Sequence, residues 1–327
     1  MTSSSPSLSD SWHLIIANVE VVVLMPLYFL ILLAILTNRK REIAFQSHYY
    51  TLVMSQGLAD FSTILIFAPV SFARTFDIGN EFIFSLAPIG AARFLVTGAP
   101  YLLITRGLGV TLITVQRFLT LCRSHSWLER KIQSCCPIVI VVFHWFLSLL
   151  IYFPGIVLSR GSYFEDEDSL FIVSSELFNK VSPLCVVISF FLCTIITISL
   201  YAIIVKFLCY AKQASLVSRK SRATRSNEYR LCCHVFLLTF IGILIFSYWL
   251  SELLLGAEDK REVLRWVREH CYPLISGNYT FINPIVLLIL NKDIQRVLKR
   301  AVNKRQVNTI SANCENLGTN NNKVLST

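Results

Sequence analysis

Charged side chains are scarce in this chain: Asp, Glu, Lys and Arg make up only 15% of its 327 residues. Ordinary globular domains carry about 25% charged residues, so the shortage excludes a water-soluble domain of the usual kind. Hydrophobic residues account for 54% of the chain, and the mean hydropathy is +0.59. The composition therefore predicts a membrane protein.

The sequence also lacks the residue patterns that intramembrane chemistry needs. It has no His-Glu-x-x-His motif and no paired aspartates in its apolar segments, which excludes the usual intramembrane proteases. The adjacent cysteines Cys135-Cys136 and Cys232-Cys233 have no spaced Cys or His companions to complete a zinc site. We interpret these pairs as sites of palmitoylation or of plain packing. We expect no enzymatic activity, no metal and no cofactor.

Seven apolar segments are long enough to cross a membrane, since about 20 helical residues span a hydrocarbon core of about 30 Å. They follow one another without a fixed repeat or a long soluble insertion. The expected fold class is therefore an all-α membrane protein, a seven-transmembrane helix bundle. The segments are residues 14–37, 49–72, 91–121, 136–158, 181–208, 231–255 and 266–290.

Two further absences argue against particular classes of membrane protein. The chain shows no repeated halves and no paired broken helices, which argues against a transporter. Residues 266–290 contain no lysine, which argues against a retinal pigment with a Schiff base in the last span.

Lysine and arginine are absent from residues 1–13, whereas the loops after spans one, three and five are rich in both. The positive-inside rule then predicts an extracellular N-terminus and a cytoplasmic C-terminus. Topology and attraction to anionic membrane lipid explain the net charge of +10, and no nucleic-acid partner is needed. The first segment is too long for a signal-peptide core and follows no basic residues, so we expect it to be retained.

The chain after the bundle (14–290) divides into two parts. Residues 291–302 place Ile294, Val297 and Leu298 on one helical face and basic residues on the others. This pattern predicts a short amphipathic helix on the inner membrane surface, with a disordered basic tail as the alternative. Residues 303–327 are polar and rich in asparagine, so we expect a disordered cytoplasmic tail.

An arginine lies near the inner end of span three, in the run VQRFLTLCR. Snorkelling to interfacial water would by itself make Arg117 tolerable. The run nevertheless resembles the acid-Arg-Tyr signature of rhodopsin-like G-protein-coupled receptors. Asp60 in LAD, Trp145, and Asn283-Pro284 in NPIVL resemble the motifs of helices two, four and seven of that superfamily.

Within the superfamily the chain is most similar to the nematode serpentine chemoreceptors of the class gamma or class V kind, over about residues 17–301. The resemblance implies a plasma-membrane receptor of a sensory cell that binds an external small molecule and activates a heterotrimeric G protein. Two alternatives stay open. One is a ligand-gated cation channel of the seven-span chemoreceptor type, which has inverted topology, and the other is a peptide-binding receptor.

The resemblance also implies which residues couple the receptor to its G protein. Arg117 offers five fixed donors for carbonyls of a partner helix. Gln116 replaces the usual acid; it can hydrogen-bond Arg117 but cannot neutralise it, so we expect a weak restraint. Pro284 removes a helical hydrogen bond beside Asn283, so span seven is either a switch or a static kink. Basic residues of the third inner loop complete the expected coupling surface: Arg219, Lys220 and Arg222.

Two charges lie deep in the predicted membrane. Asp60 and Arg106 are each near the midpoint of their span, where charge is most costly and usually paired. In the family the aspartate of helix two commonly helps to bind sodium. We predict that Arg106 takes the place of the ion; separate partners for each residue are the alternative.

Aromatic residues near the outer halves of spans three and six mark where a ligand pocket would form, although core packing explains them equally well. They are Tyr101, Phe94, Tyr248 and Trp249. We interpret the isolated His144 of span four as a packing residue.

Overall fold

The chain folds into apolar helices, as its composition predicts. The computed structural model describes residues 12–76, 78–123, 126–165, 170, 172–214, 236–251, 253–254 and 272–300. Five of the described helices are long and apolar enough to cross a membrane, and two shorter apolar helices provide spans six and seven. The predicted all-α membrane bundle is confirmed. The spans are α1 (Trp12–Asn38), α2 (His48–Phe76), α4 (Ala91–Cys122), α6 (Pro137–Leu158), α7 (Glu176–Ala214), α8 (Phe236–Ser251) and α9 (Tyr272–Leu290).

Three short helices connect or follow the spans. They are α3 (Asn80–Ser85), α5 (Trp127–Ser134) and α10, which covers residues 292–300. We call the end of the bundle that carries Cys122 and Pro137 the inner end, after the predicted topology, and the opposite end the outer end. The helix α5 in the second inner loop was not predicted. Its N-cap is Ser126, whose hydroxyl accepts a hydrogen bond from Glu129 N at 3.2 Å.

The largest difference from the predicted boundaries is in span five. Helix α7 has 39 residues and extends beyond the predicted 181–208 at both ends. Polar helix-forming residues continue the helix outside its apolar stretch, and an ion pair between Glu176 and Lys180 lies in its first turn. Residues 231–235 and 266–271, at the predicted starts of spans six and seven, lie outside the described residues.

Proline occurs inside six of the seven spanning helices, and α8 is the exception. A bundle in a membrane tolerates these residues because neighbouring helices and side chains satisfy the freed backbone groups. Pro284 in α9 directly follows Asn283, which belongs to the site described below.

Helix α4 forms the centre of the bundle. Of its most apolar stretch 67% is buried, compared with 17% for α1. It packs against α2, α6 and α7, and its close contact with α2 and α6 depends on Gly109. A methyl group there would lie 1.9 Å from Gln56 Oε1 and 3.1 Å from His144 Cε1.

The outer loop after span four contains a short antiparallel hairpin of β1 (Tyr163–Phe164) and β2 (Ile172–Val173). Phe164 and Leu170 are buried in a small apolar cluster with residues of α2 and α4. The acidic residues 166–168 lie outside the described residues.

Candidate functional site

A buried ion pair lies at the centre of the bundle. Arg106 Nε is 2.6 Å from Asp60 Oδ1, and both side chains are only 1% exposed. The two side chains are therefore in direct contact as an ion pair. The structure thus brings together the two charges that the sequence placed at equal depth.

Two further helices bind the same carboxylate. Tyr28 of α1 donates its hydroxyl hydrogen to Asp60 Oδ2 at 2.6 Å. Asn283 of α9 donates from Nδ2 to Asp60 Oδ2 at 3.2 Å and to Tyr28 Oη at 3.0 Å. Asp60 therefore links α1, α2, α4 and α9. We call Tyr28, Asp60, Arg106 and Asn283 the central cluster.

The guanidinium of Arg106 also packs on an aromatic face. Its Cζ lies 4.2 Å from the centroid of the Tyr279 ring, which is a cation–π geometry. Within the described part of the chain, Arg106 Nη2 is buried without a hydrogen-bond partner. The arginine is held by charge and by stacking.

The central cluster is neutral overall and inaccessible to solvent. Desolvating two charges costs several kcal/mol per ion, and the loss is recovered only when the partners are close and further hydrogen bonds complete the site. The two donors on Asp60 Oδ2 and the ring of Tyr279 provide that completion. A change at any one of these helices alters the environment of charges shared by the others.

A second polar network fixes α6 against α2 and α4. His144 is fully buried; its Nδ1 lies 2.8 Å from Ser55 Oγ and its Nε2 lies 2.7 Å from Thr105 O. Trp145 Nε1 donates to the same Ser55 hydroxyl at 3.1 Å. His144 is thus a packing residue with both ring nitrogens satisfied, as the sequence predicted.

At the inner end of α4, Arg117 lies on an aromatic ring. Its Cζ is 3.8 Å from the centroid of the Tyr49 ring of α2, and its side chain is half-buried. Gln116 donates an amide hydrogen to Thr120 Oγ1, one helical turn along, at 3.0 Å. A hydrogen bond from Arg117 to the amide oxygen of Gln116 stays a prediction.

The inner end of span seven is tied to the same turn of α2. Asn291 Nδ2 donates to Tyr50 Oη at 2.9 Å, and Asn291 Oδ1 accepts from Asp293 N and Ile294 N at 3.0 and 3.3 Å. Asn291 is therefore both the cap of α10 and the link to α2. Ile294 and Val297 of α10 are buried, as the predicted apolar stripe requires.

The four aromatic residues assigned to a ligand pocket differ in their surroundings. Tyr101 donates its hydroxyl hydrogen to Trp145 O at 3.4 Å and so faces α6. Phe94 is 60% exposed. Its place in a ligand pocket stays a prediction. Tyr248 and Trp249 are in edge-to-face contact with each other at 5.8 Å.

Two cavities among the described residues lie elsewhere. One, of about 20 Å³, is lined by Gly107, Phe190 and Tyr279 and has room for a single water molecule. The other, of about 480 Å³, is an apolar groove between the outer halves of α1 and α2. The loop residues Arg219, Lys220 and Arg222 lie outside the described residues.

Comparison with known families identifies the chain. The family model of serpentine-type seven-transmembrane GPCR chemoreceptors named Srv matches residues 18–304. The chain belongs to this chemoreceptor family. The match confirms the resemblance to nematode serpentine chemoreceptors and makes the protein a multi-pass membrane receptor with a chemosensory role. No curated protein matches this receptor.

Sequence reasoning missed two members of the receptor's buried site. Tyr28 and Tyr279 lie in apolar runs, where a tyrosine reads as a packing residue. Tyr279 is one helical turn before Asn283 on α9, so the 3.6-residue period would have placed it on the same face. No comparable signal marks Tyr28, whose partner lies 32 residues away.

Proposed function

We propose that the receptor binds an external small-molecule cue and activates a heterotrimeric G protein on the inner side of the plasma membrane. The observation that carries this proposal is the half-buried guanidinium of Arg117 at the inner end of α4, stacked on Tyr49. A guanidinium in this place offers donors that suit backbone carbonyls of a partner helix. The Arg117 guanidinium becomes available to such a helix once it leaves the ring of Tyr49.

The central cluster couples the outer side of the receptor, where the cue binds, to the inner side, where the G protein binds. A cue that moves the outer half of α1 or α9 changes the hydrogen bonds of Tyr28 and Asn283 to Asp60. Asp60 and Arg106 then rearrange, and Arg106 is 11 residues before Arg117 on the same helix. Pro284 lowers the resistance of α9 to bending at this level. The cluster thus serves as a two-state element between the ligand side and the G-protein side.

The inactive state is held differently from a receptor with an acid before its arginine. A carboxylate beside Arg117 would give a charge-assisted hydrogen bond, whereas Gln116 bonds to Thr120. Stacking on Tyr49 is worth about 0.5–1 kcal/mol at an exposed site and about 2 kcal/mol when desolvated. The stacking contact is easy to release, and we expect its loss to raise signalling without the cue.

The test is a second-messenger assay in transfected cells against a panel of odorants and secreted metabolites, with membrane conductance recorded in parallel. A cue should change the second messenger in wild type, and Arg117→Leu should lose the response at unchanged surface expression. A cue-dependent conductance that persists in Arg117→Leu, without a second-messenger signal, would instead establish the channel alternative.

A further inference from the structure

We propose that Cys135 and Cys136 form a site of S-acylation that carries long-chain fatty acyl groups in the inner leaflet. Both thiols are free and exposed. They occupy an extended linker between α5 and α6, with φ and ψ of −68° and 142° at Cys135 and −62° and 132° at Cys136. Their exposure excludes packing as the reason for the pair.

The length of α6 places these thiols at the membrane boundary. Helix α6 has 22 residues and begins at Pro137, so it is about 33 Å long at a rise of about 1.5 Å per residue. The hydrocarbon core is about 30 Å thick, so the helix is only slightly longer than the core. Cys136, one residue before the helix, therefore lies where the hydrocarbon meets the headgroups.

Contacts of α5 hold the linker at this depth. Gln133 O lies 3.1 Å from Nε2 of His48, the first residue of α2, and Gln133 Nε2 donates to Glu129 Oε1 at 2.9 Å. Glu129 is only 4% exposed. The end of α5, two residues before Cys135, is thus fixed beside the start of another spanning helix.

The surface next to the thiols is suited to an acyl chain. Ile138, Val139 and Val142 of α6 are exposed on the outside of the bundle, at 70%, 54% and 59%. In a membrane this face contacts lipid tails. An acyl chain on Cys136 would continue along it, while Trp127 of α5, with Lys131 Nζ 4.7 Å from its ring centroid, has the character of an interfacial anchor.

The modification is a thioester exchange and needs no oxidant. The cysteine thiolate attacks the carbonyl carbon of a long-chain acyl-CoA, directly or through an acyltransferase, and a new carbon–sulfur bond forms. The bond between that carbon and the CoA sulfur breaks, and the leaving CoA thiolate takes up the proton that the cysteine thiol released. Acyl-CoA is cytosolic, so the inference rests on the proposed orientation, with the linker on the inner side.

Other cysteines of the chain provide matched controls. Cys122, at the inner end of α4, is only half-exposed, and Cys193 in α7 is buried. Cys122 lies on the same side of the membrane as the proposed site but belongs to a helix rather than to an extended linker. It should remain unmodified.

The experiment expresses the full-length receptor in animal cells, blocks free thiols, cleaves thioesters with neutral hydroxylamine and labels the released thiols with a polyethylene-glycol maleimide. The wild type should show hydroxylamine-dependent mass tags, C135S/C136S should lose two of them, and C122S should keep them all. A C135S/C136S variant that keeps every tag would overturn the proposal. So would an unlabelled wild type.

The same cells distinguish this failure from a failure of the proposed function. Terminal epitope tags report orientation independently of labelling. An unlabelled receptor with an external N-terminus overturns acylation alone, whereas an unlabelled receptor with inverted tags overturns the proposed topology and the acylation with it. Surface expression of C135S/C136S checks that the exposed serines leave folding intact.

Discussion

Arg106 and Asp60 form an ion pair in the interior of the receptor, with 2.6 Å between Nε and Oδ1 and 1% exposure of each side chain. The other carboxylate oxygen accepts hydrogen bonds from Tyr28 and Asn283. A single carboxylate therefore connects four spanning helices, and the guanidinium supplies the positive charge that a bound cation would otherwise provide.

Removing one partner of this pair should be far more harmful than removing both. Asp60→Asn and Arg106→Leu each leave one buried charge without its partner, at a cost of about 3–5 kcal/mol. Each variant should show reduced surface expression and a lower Tm in detergent. The double variant should recover part of the loss, because no uncompensated charge remains.

Sodium provides a second readout for the same pair. The stability of wild type should not differ between sodium and potassium at equal ionic strength, since the guanidinium already neutralises Asp60. Arg106→Ser leaves the carboxylate and a small polar side chain, and it should gain a sodium-dependent rise in Tm. Additive losses in the double variant, with no sodium effect on Arg106→Ser, would contradict the assigned role of the pair.

Tyr28→Phe removes a hydrogen bond to a charged group, and its cost should exceed that of removing a hydrogen bond between two neutral groups. The Tyr28 hydroxyl binds the Asp60 carboxylate, and such bonds are worth about 1.5–3 kcal/mol. Tyr152→Phe is the matched control, because Tyr152 is equally buried and its hydroxyl meets a neutral group, Ser182 Oγ, at 2.9 Å. Hydrogen bonds between neutral groups in membrane bundles average about 0.6 kcal/mol.

Thermal unfolding of the detergent-solubilised variants measures the difference. Tyr28→Phe should lower Tm more than Tyr152→Phe and should also alter signalling without the cue. Equal shifts in Tm and unchanged basal signalling would mean that Tyr28 is only a packing residue.

The fold could be predicted from the sequence because the thickness of the hydrocarbon core sets the length of every spanning helix. The sequence was also sufficient for the contact between Asp60 and Arg106 because two opposite charges at one depth have few alternatives. Tyr28 was not predictable, since its role depends on the rotation of α1 against α2. An apolar helix such as α1 carries no polar stripe that would fix this rotation.

The candidate ligand pocket stays a prediction for a related reason. Depth along a helix was read correctly for Tyr101 and Phe94, but the direction of their side chains depends on which neighbour each face meets. Tyr101 meets α6, and Phe94 is exposed. The hydrogen bond from Gln116 to Thr120 was missed, although the two residues are one helical turn apart.

Gly109→Ala should destabilise the contact of α4 with α2 and α6. The added methyl group would meet Gln56 Oε1 at 1.9 Å and His144 Cε1 at 3.1 Å. His144 is held by two partners and Gln56 is buried, so neither moves freely, and a loss of about 1–3 kcal/mol is expected. Gly98→Ala is the control on the same helix, since its methyl group would lie 3.7 Å from Ile66 Cδ1. Equal Tm values for the two variants would contradict the packing argument.

Topology separates the proposed G-protein coupling from the channel alternative. An epitope tag before Ser11 should be stained on intact cells, and one after Thr327 only after permeabilisation. The expectation follows from the absence of Lys and Arg in residues 1–13 and their abundance in the inner loops. The reverse staining pattern would favour the channel and remove the argument from Arg117.

Tyr49 should restrain Arg117 through its ring rather than its hydroxyl. The Arg117 Cζ lies 3.8 Å from the ring centroid, so Tyr49→Phe keeps the stacking surface and Tyr49→Leu removes it. Loss of about 1–2 kcal/mol of cation–π attraction shifts a two-state equilibrium about 5- to 30-fold. Tyr49→Leu should therefore raise second-messenger signalling in the absence of the cue, at equal surface expression, while Tyr49→Phe stays close to wild type. If Tyr49→Phe raises signalling as much as Tyr49→Leu, the hydroxyl and not the ring is responsible, and the proposed restraint is wrong.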